Sequence, residues 1–285
     1  MKICRFDDNR LGLVEGHEVI DVTAVQDRLP AFHYPLPSHD ALIAALPELR
    51  TFIESMKVIA RRLPLAEVRL LSPVANPGKI IAAPVNYTKH LQEVLGDPNI
   101  HHDNLINHIQ RAGLFLKATS SLVGMSHGVR LNHAERRNDP ELELVAVIGR
   151  VCKEVIEADA LTYVAGYCVG LDMTIRGPEE RSFRKSPDTY TVLGPWLVTA
   201  DELPNPGGLD MTLHVNEELR QSANTRDLIL GVPQLIAFAS NFYTLHPGDL
   251  IYSGTPEGVA QIQAGDRMRA SIERIGMLDV QILRD

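Results

Sequence analysis

Along the chain the spacing of apolar residues changes several times, and each change marks an element. KICRFDD (2–8) alternates like a strand, and RLGLVEGHEVIDVT (10–23) predicts a hairpin turning at Gly16. SHDALIAALPELRTFIESMKVIARRL (38–63) has helical spacing, with Ser38 or Asp40 as N-cap and Pro47 dividing it into two pieces. The basic stretch IARRLPLAEVR (59–69) reads as the solvated end of that helix. SPVANPGK (72–79) is rich in proline and small residues and predicts a boundary near residues 72–78. Beyond it lie short apolar strands: KIIAAPVNY (79–87), LELVAVIGRVC (142–152) and YVAGYCVGLDMTI (163–175). MTLHVNEELRQ (211–221) alternates around an Asn-Glu turn, PQLIAFASNFY (233–243) reads as one helix, and GDLIYSG and DRMRASIERIGMLDVQIL close the chain as strands. The pattern predicts an α+β, mostly β protein: a small N-terminal α+β domain over 1–75, then a domain over 76–285 built on a mixed or antiparallel sheet.

Composition narrows the function classes. Of 285 residues, 45% are apolar and 22% charged, as in a soluble globular protein with a real core. A net charge of −8 and 5% aromatics argue against nucleic acid and anionic membrane surfaces as partners. No apolar run approaches the roughly 20 residues that cross a bilayer. The start, MKICRFDDNR, lacks the apolar region of a secretory signal. Three cysteines, Cys4, Cys152 and Cys168, are an odd number without CxxC spacing, so they read as buried thiols rather than a disulfide or zinc framework. A cytoplasmic protein is expected.

The chemistry begins in NDPELELVAVIGR (138–150). On a strand, Glu141 and Glu143 share a face, opposite Leu142 and Leu144. Two carboxylates at the mouth of a buried strand repel each other unless they hold a cation, and all-oxygen ligands suit a hard ion such as Mg²⁺, Mn²⁺ or Ca²⁺. The bland reading is a solvated strand face. Asp172 interrupts a second apolar run, with Arg176 four residues on. Its partner is either Arg176, in a structural ion pair, or an ion shared with the glutamates.

Six blocks in order, KIIAAPVNYTKHLQEV, PELELVAVIGR, GYCVGLDMTIRG, FRKSPDTYTVLGPWLVTADEL, HVNEELRQ and LHPGDLIYSGTPEGVA, resemble the fumarylacetoacetate hydrolase superfamily over about residues 79–285. The leading GLVEGHEVIDVT resembles the small N-terminal domain of its bacterial members. The resemblance implies a mixed β-sandwich or β-roll catalytic domain. It implies divalent-metal ligands at Glu141, Glu143 and Asp172, with Mg²⁺ or Mn²⁺ chelating a small keto acid substrate. It further implies that His90 and Glu93 activate water, that Lys185 stabilises developing oxyanion charge, and that Arg176, Gly254 and Thr255 contact substrate. On residues alone, Lys185 beside Arg184 reads as a surface lysine. A homodimer is implied in the same way.

The family implies a hydrolase cleaving a C–C bond of a β-diketo acid or acylpyruvate by way of a metal-held enolate. Alternatives are an isomerase or decarboxylase of a ring-fission product in aromatic catabolism, and a ligand-binding member without catalysis. The chain departs from the family's pattern at Pro84, usually glycine, and after Arg176, where Gly177 and Glu179 place an anion near the substrate mouth. The stretch after Glu93 is long, and its His101, His102 and His108 fit a lid better than a zinc site.

Overall fold

The computed structural model describes residues 1–102 and 108–284. The first half supplies β1 (Lys2–Phe6), β2 (Arg10–Glu15), β3 (Glu18–Asp21), α1 (Ala41–Met56), β4 (Arg62–Pro64), β5 (Leu70–Leu71) and β6 (Ile80–Ala82). Then come α2 (Thr88–Gly96), α3 (Pro98–His101), α4 (Ile109–Ala112), β7 (Phe115–Lys117), β8 (Leu122–Val123), β9 (Asn138–Asp139) and β10 (Leu142–Ile148). The rest is β11 (Val164–Asp172), β12 (Thr174–Ile175), α5 (Arg181–Lys185), β13 (Thr191–Thr199), β14 (Asp210–Val215), β15 (Glu218–Asn224), α6 (Val232–Phe242), β16 (Leu250–Tyr252), β17 (Arg267–Ile272) and β18 (Gly276–Gln281). The protein is mostly β with a minority of helix, as the spacing predicts. No helix among the described residues is long and apolar enough to cross a membrane.

Twelve of the described strands form one mixed sheet, whose main path runs β4-β3-β2-β1-β13-β11-β10-β16-β6-β7. A second, four-stranded sheet, β15-β14-β17-β18, packs against it. Strand parity divides the core. Leu142, Leu144, Ala146 and Ile148 of β10 face the small sheet and α6, whereas Val145 and Val147 face the side that α1 covers. The three cysteines are buried and free.

β1 pairs antiparallel with β13, with Lys2 opposite Val198 and Ile3 opposite Leu197. The large sheet therefore runs across the composition break near residue 75. Strands almost 200 positions apart leave no local trace of such pairing.

Two local expectations differ from the structure. Pro47 does not divide the helix; α1 runs unbroken from Ala41 to Met56. A proline inside a helix costs about 3 kcal/mol, but Leu42, Ile43, Leu46, Leu49 and Ile53 bury one continuous face, and that packing wins. The basic stretch after Met56 is not a helix end. Arg62–Pro64 forms the edge strand β4, pairing Leu63 with Val19, because the proline suits an edge and cannot extend a helix.

Asp40, one of the two expected N-caps, is the cap. Its Oδ1 accepts from the Ile43 N–H at 3.0 Å, and its Oδ2 accepts from the Ala75 and Asn76 N–H groups at 3.1 and 3.0 Å. One buried carboxylate thus joins α1 to the proline-rich connection. Asp40→Ala is expected to lower stability by about 2–4 kcal/mol, a cap plus two charge-assisted bonds. Urea denaturation measures this, and Asp40→Asn recovers part of the loss.

Candidate metal centre and active site

β10 and β11 are antiparallel, with Leu142 opposite Leu171 and Glu143 opposite Gly170. That register sets Glu141 opposite Asp172, whose N–H donates to the Glu141 carbonyl at 2.9 Å. Residues opposed across a pair, and residues two apart on one strand, share a face. Glu141, Glu143 and Asp172 therefore converge, each with a carboxylate oxygen within 4.8 Å of the others, and all three are buried. At that separation and an effective dielectric of about 20, two full charges repel by about 3.5 kcal/mol. Three such pairs rival the whole stability of a domain, about 5–15 kcal/mol, so the cluster requires compensation.

Part of that compensation comes from cations of the chain. Lys185 donates to Glu141 Oε2 at 2.6 Å, Asp172 Oδ2 at 2.7 Å and Thr174 Oγ1 at 2.6 Å. It is not a surface lysine. All three N–H donors of its ammonium are engaged, so it serves as a fixed buried charge. Lys117 donates to Asp172 Oδ1 and, at 2.7 Å, to the Tyr190 carbonyl. Arg176 does not pair with Asp172. It donates to Glu141 Oε1 and Asp139 Oδ2, both at 2.8 Å. The cations that pair with Asp172 are thus Lys117 and Lys185 rather than Arg176.

Glu143 is the exception: among the described residues no cation pairs with it, and Oε2 accepts from the Gly254 N–H at 2.7 Å. The electrostatics follow. Burial raises the Glu141 pKa, but Lys185 and then Arg176 more than offset this and hold it below the usual carboxylate range. Burial, and then the Asp172 charge, push Glu143 well above it. Burial lowers the Lys117 pKa despite Asp172 beside it.

The donor set fits a hard divalent ion. It is all oxygen, and ligands at about 2.1 Å from an octahedral ion lie about 3 Å apart when adjacent and about 4.2 Å apart when opposite. With one oxygen of each carboxylate within 4.8 Å of the others, small side-chain adjustments bring all three to one ion. A carboxylate also has more lone pairs than the bonds counted here occupy.

A cavity of about 220 Å³ opens beside the cluster, with His90, Glu141, Arg176, Lys185 and Thr255 on its wall. His90 and Glu93 lie on α2, three positions apart and so on one helix face. His90 Nδ1 donates to Glu93 Oε2 at 2.8 Å, which leaves Nε2 as the basic nitrogen. Glu93 Oε1 accepts from the Gly258 N–H at 2.9 Å, fixing the pair to the loop after β16. In that loop Gly254 takes φ +93°, and a Cβ there would meet the Asn86 Cβ at 2.7 Å. Its amide is engaged by Glu143, whereas Thr255 accepts from Gln221 Nε2 at 2.9 Å.

Pro84 lies on the wall, followed by Val85 at φ +43°. That is a strained backbone for a β-branched residue. Asn86 holds the turn, donating to the Leu230 and Ser253 carbonyls and accepting from the Leu230 N–H, each at 2.8 Å. Glu179 is not a free anion at the mouth. Arg136 binds it through both nitrogens, at 3.0 and 2.8 Å, and that hydrogen bonding holds its pKa down to about 2. Of the three histidines after Glu93, His101 lines the cavity, His102 ends α3 at φ +46°, and His108 precedes α4. They form no metal cluster among the described residues, and residues 103–107 lie outside the description.

Sequence reasoning missed Lys117, Asp139 and Gln221. Lys117 carried one signal, sharing an inward strand face with Phe115 on β7. Gln221 lies in HVNEELRQ; it accepts from the Leu142 N–H and donates to Thr255, clamping β10 to the loop that carries Gly254 and Thr255.

The fumarylacetoacetate (FAA) hydrolase C-terminal family model matches residues 79–283. The chain belongs to the fumarylacetoacetate hydrolase family. It is 61% identical over 284 residues to the maleylpyruvate hydrolase of Aquipseudomonas alcaligenes, covering 99% of both proteins. It resembles the solved maleylpyruvate hydrolase of Sphingobium sp. SYK-6, in complex with manganese(II) and pyruvate, at 42% identity and TM-score 0.85, covering 99% of both chains. The 5-carboxymethyl-2-hydroxymuconate delta-isomerase of Mycobacterium smegmatis is more distant, at 27% identity and TM-score 0.74 over the full length of both. The chain is thus an enzyme of this family and a metal-dependent hydrolase.

Because no cation among the described residues pairs with Glu143, Glu143→Gln is expected to leave the metal-free protein at or above wild-type thermal stability. Mn²⁺ raises the wild-type Tm as a ligand of the folded state does, and the variant loses that rise. Thermal scans with EDTA and with Mn²⁺ measure both effects.

Proposed function

We propose that the chain cleaves the C–C bond of an acylpyruvate, with maleylpyruvate as its substrate, and that it works in aromatic catabolism in the cytoplasm. The observation that carries this reading is a His-Glu pair and a buried three-carboxylate cluster on one cavity. The 61% identity to a maleylpyruvate hydrolase supports the substrate.

Glu141, Glu143 and Asp172 would hold the divalent ion, Mg²⁺ or Mn²⁺, which polarises the keto and carboxylate oxygens of the pyruvyl end when bound. The remaining steps belong to the chain. Glu93 fixes the His90 tautomer, and Nε2 takes a proton from water. The water oxygen bonds to the acyl carbonyl carbon, and the adjacent C–C bond breaks. Its electron pair leaves on the pyruvyl carbon, as the enolate of pyruvate, which then takes up a proton. The balance is one water in, maleate and pyruvate out. Lys185 supports the developing negative charge as a positive charge held nearby, and Arg176 keeps Glu141 in place. Thr255 and Gly254 border the substrate, Gly254 through the bond that fixes Glu143. A homodimer belongs to the same reading and is checked by light scattering.

With Mn²⁺ or Mg²⁺, maleylpyruvate is expected to give maleate and pyruvate, a gain of one water by mass, and EDTA stops the reaction. His90→Ala is expected to lower kcat by roughly 10²–10⁴. A product of unchanged mass signals isomerisation, loss of CO₂ signals decarboxylation, and undiminished cleavage by the variant removes His90 from the water step.

A further inference from the structure

The cations around the cavity divide into committed and uncommitted ones. Lys185 and Lys117 are bound to the metal-cluster carboxylates, and Arg176 to Asp139 and Glu141. Arg184 donates to the Glu179 and Ile175 carbonyls, at 2.7 and 2.9 Å, and to no carboxylate among the described residues. Arg181 stands apart: it lines the cavity, and among the described residues no carboxylate pairs with it. Its guanidinium lies over the Phe115 ring, 5.5 Å from the centroid. Glu180, on the same wall, turns its own carboxylate to the Ser182 N–H at 2.6 Å. Burial lowers the Arg181 pKa from its ordinary value, with Glu141 the foremost opposing charge. Arg181 is half-buried, and a partly desolvated guanidinium with no carboxylate against it gains from a bound anion.

Its position defines the anion. Arg181 and Lys185 are the two ends of α5, four residues apart and so on one face. One helical turn, about 5.4 Å, separates the metal-cluster lysine from the uncommitted arginine. That span matches a few carbon–carbon bonds of an acyl chain whose pyruvyl end sits at the cluster.

We infer that Arg181, backed by Arg184, is a specificity-determining residue that receives a second carboxylate at the far end of the acyl arm, selecting dicarboxylic acylpyruvates over those with a neutral tail. The inference rests on the acylpyruvate reading above. The planar fork of arginine binds a carboxylate through two parallel N–H donors, which a neutral acyl tail cannot use.

The test uses Mn²⁺-loaded enzyme as wild type, Arg181→Met and Arg181→Lys, with maleylpyruvate and with acetylpyruvate, whose acyl arm ends in a methyl group. In Arg181→Met the ratio of kcat/KM for maleylpyruvate over acetylpyruvate is expected to fall at least 30-fold, mostly through KM. Arg181→Lys restores part of the ratio. A ratio unchanged in Arg181→Met overturns the inference. Calorimetry with maleate and, separately, pyruvate reads the same site without turnover. Maleate binding is expected to weaken at least 10-fold in Arg181→Met, more than pyruvate binding. Equal maleate binding in both proteins, or an equal loss for pyruvate, overturns it. Should wild type cleave neither acylpyruvate, the acylpyruvate reading fails, and the maleate titration still decides the role of Arg181.

Discussion

Three buried carboxylates facing one another across two antiparallel strands are the constraint on which the rest of the site depends. The register of β10 against β11 brings them together, and mutual repulsion makes the arrangement untenable without cations. Lys117 and Lys185 neutralise the side of the cluster at Asp172, and Arg176 and Lys185 the side at Glu141. Glu143 remains, tied to a backbone amide. A divalent ion would meet the charge the chain leaves over. The lysines leave the cluster close enough to neutral that the fold tolerates it, while Glu143, with no cation paired to it among the described residues, preserves demand for an ion.

The charges form a chain that reaches outward. Glu141 binds Arg176, Arg176 binds Asp139, and Asp139 binds Arg137, which reaches Asp97 at 3.2 Å. Asp97 caps α3, accepting from the Asn99 N–H at 2.9 Å. On the other flank Glu93 binds Gly258, while Asn86 holds the strained turn at Val85. The segment carrying His90 is therefore anchored at its end, through Asp97, to the charges that reach Glu141, and at its start, through Asn86, to Leu230 and Ser253. The His-Glu pair and the carboxylate cluster are positioned by one connected set of hydrogen bonds. Such a network is sensitive to loss of any member, since each buried charge depends on its neighbour.

Much of this was legible in the sequence because the relevant signals are periodic. Alternation in ELELVAVI put both glutamates on one face, and an aspartate closing VAGYCVGLD demanded a partner. The i, i+3 spacing of His90 and Glu93 is realised on α2. The hairpin at Gly16 and the turn at Asn216 are set by local conformation, both at positive φ. What stayed hidden depends on distance along the chain. Pairing of β1 with β13 carries no local mark, and a composition break at 72–78 lies where a continuous sheet passes. Lys117 sits on a three-residue strand whose charge is explained only by Asp172, 55 positions away. Pro47 and the edge strand at Arg62 misled because tertiary packing outweighs local propensity there. Arg181 carries no mark in the sequence; its distinction is the absence of a paired carboxylate among the described residues, which only the folded chain reveals.

The central claim is that one divalent ion belongs between Glu141, Glu143 and Asp172. A crystal grown with Mn²⁺ and measured at the manganese absorption edge tests it most directly. The account predicts one strong anomalous peak per chain, within about 2.0–2.3 Å of an oxygen from each of the three carboxylates. A peak elsewhere, or ordered carboxylates bound to the lysines with no manganese among them at saturating Mn²⁺, would contradict it.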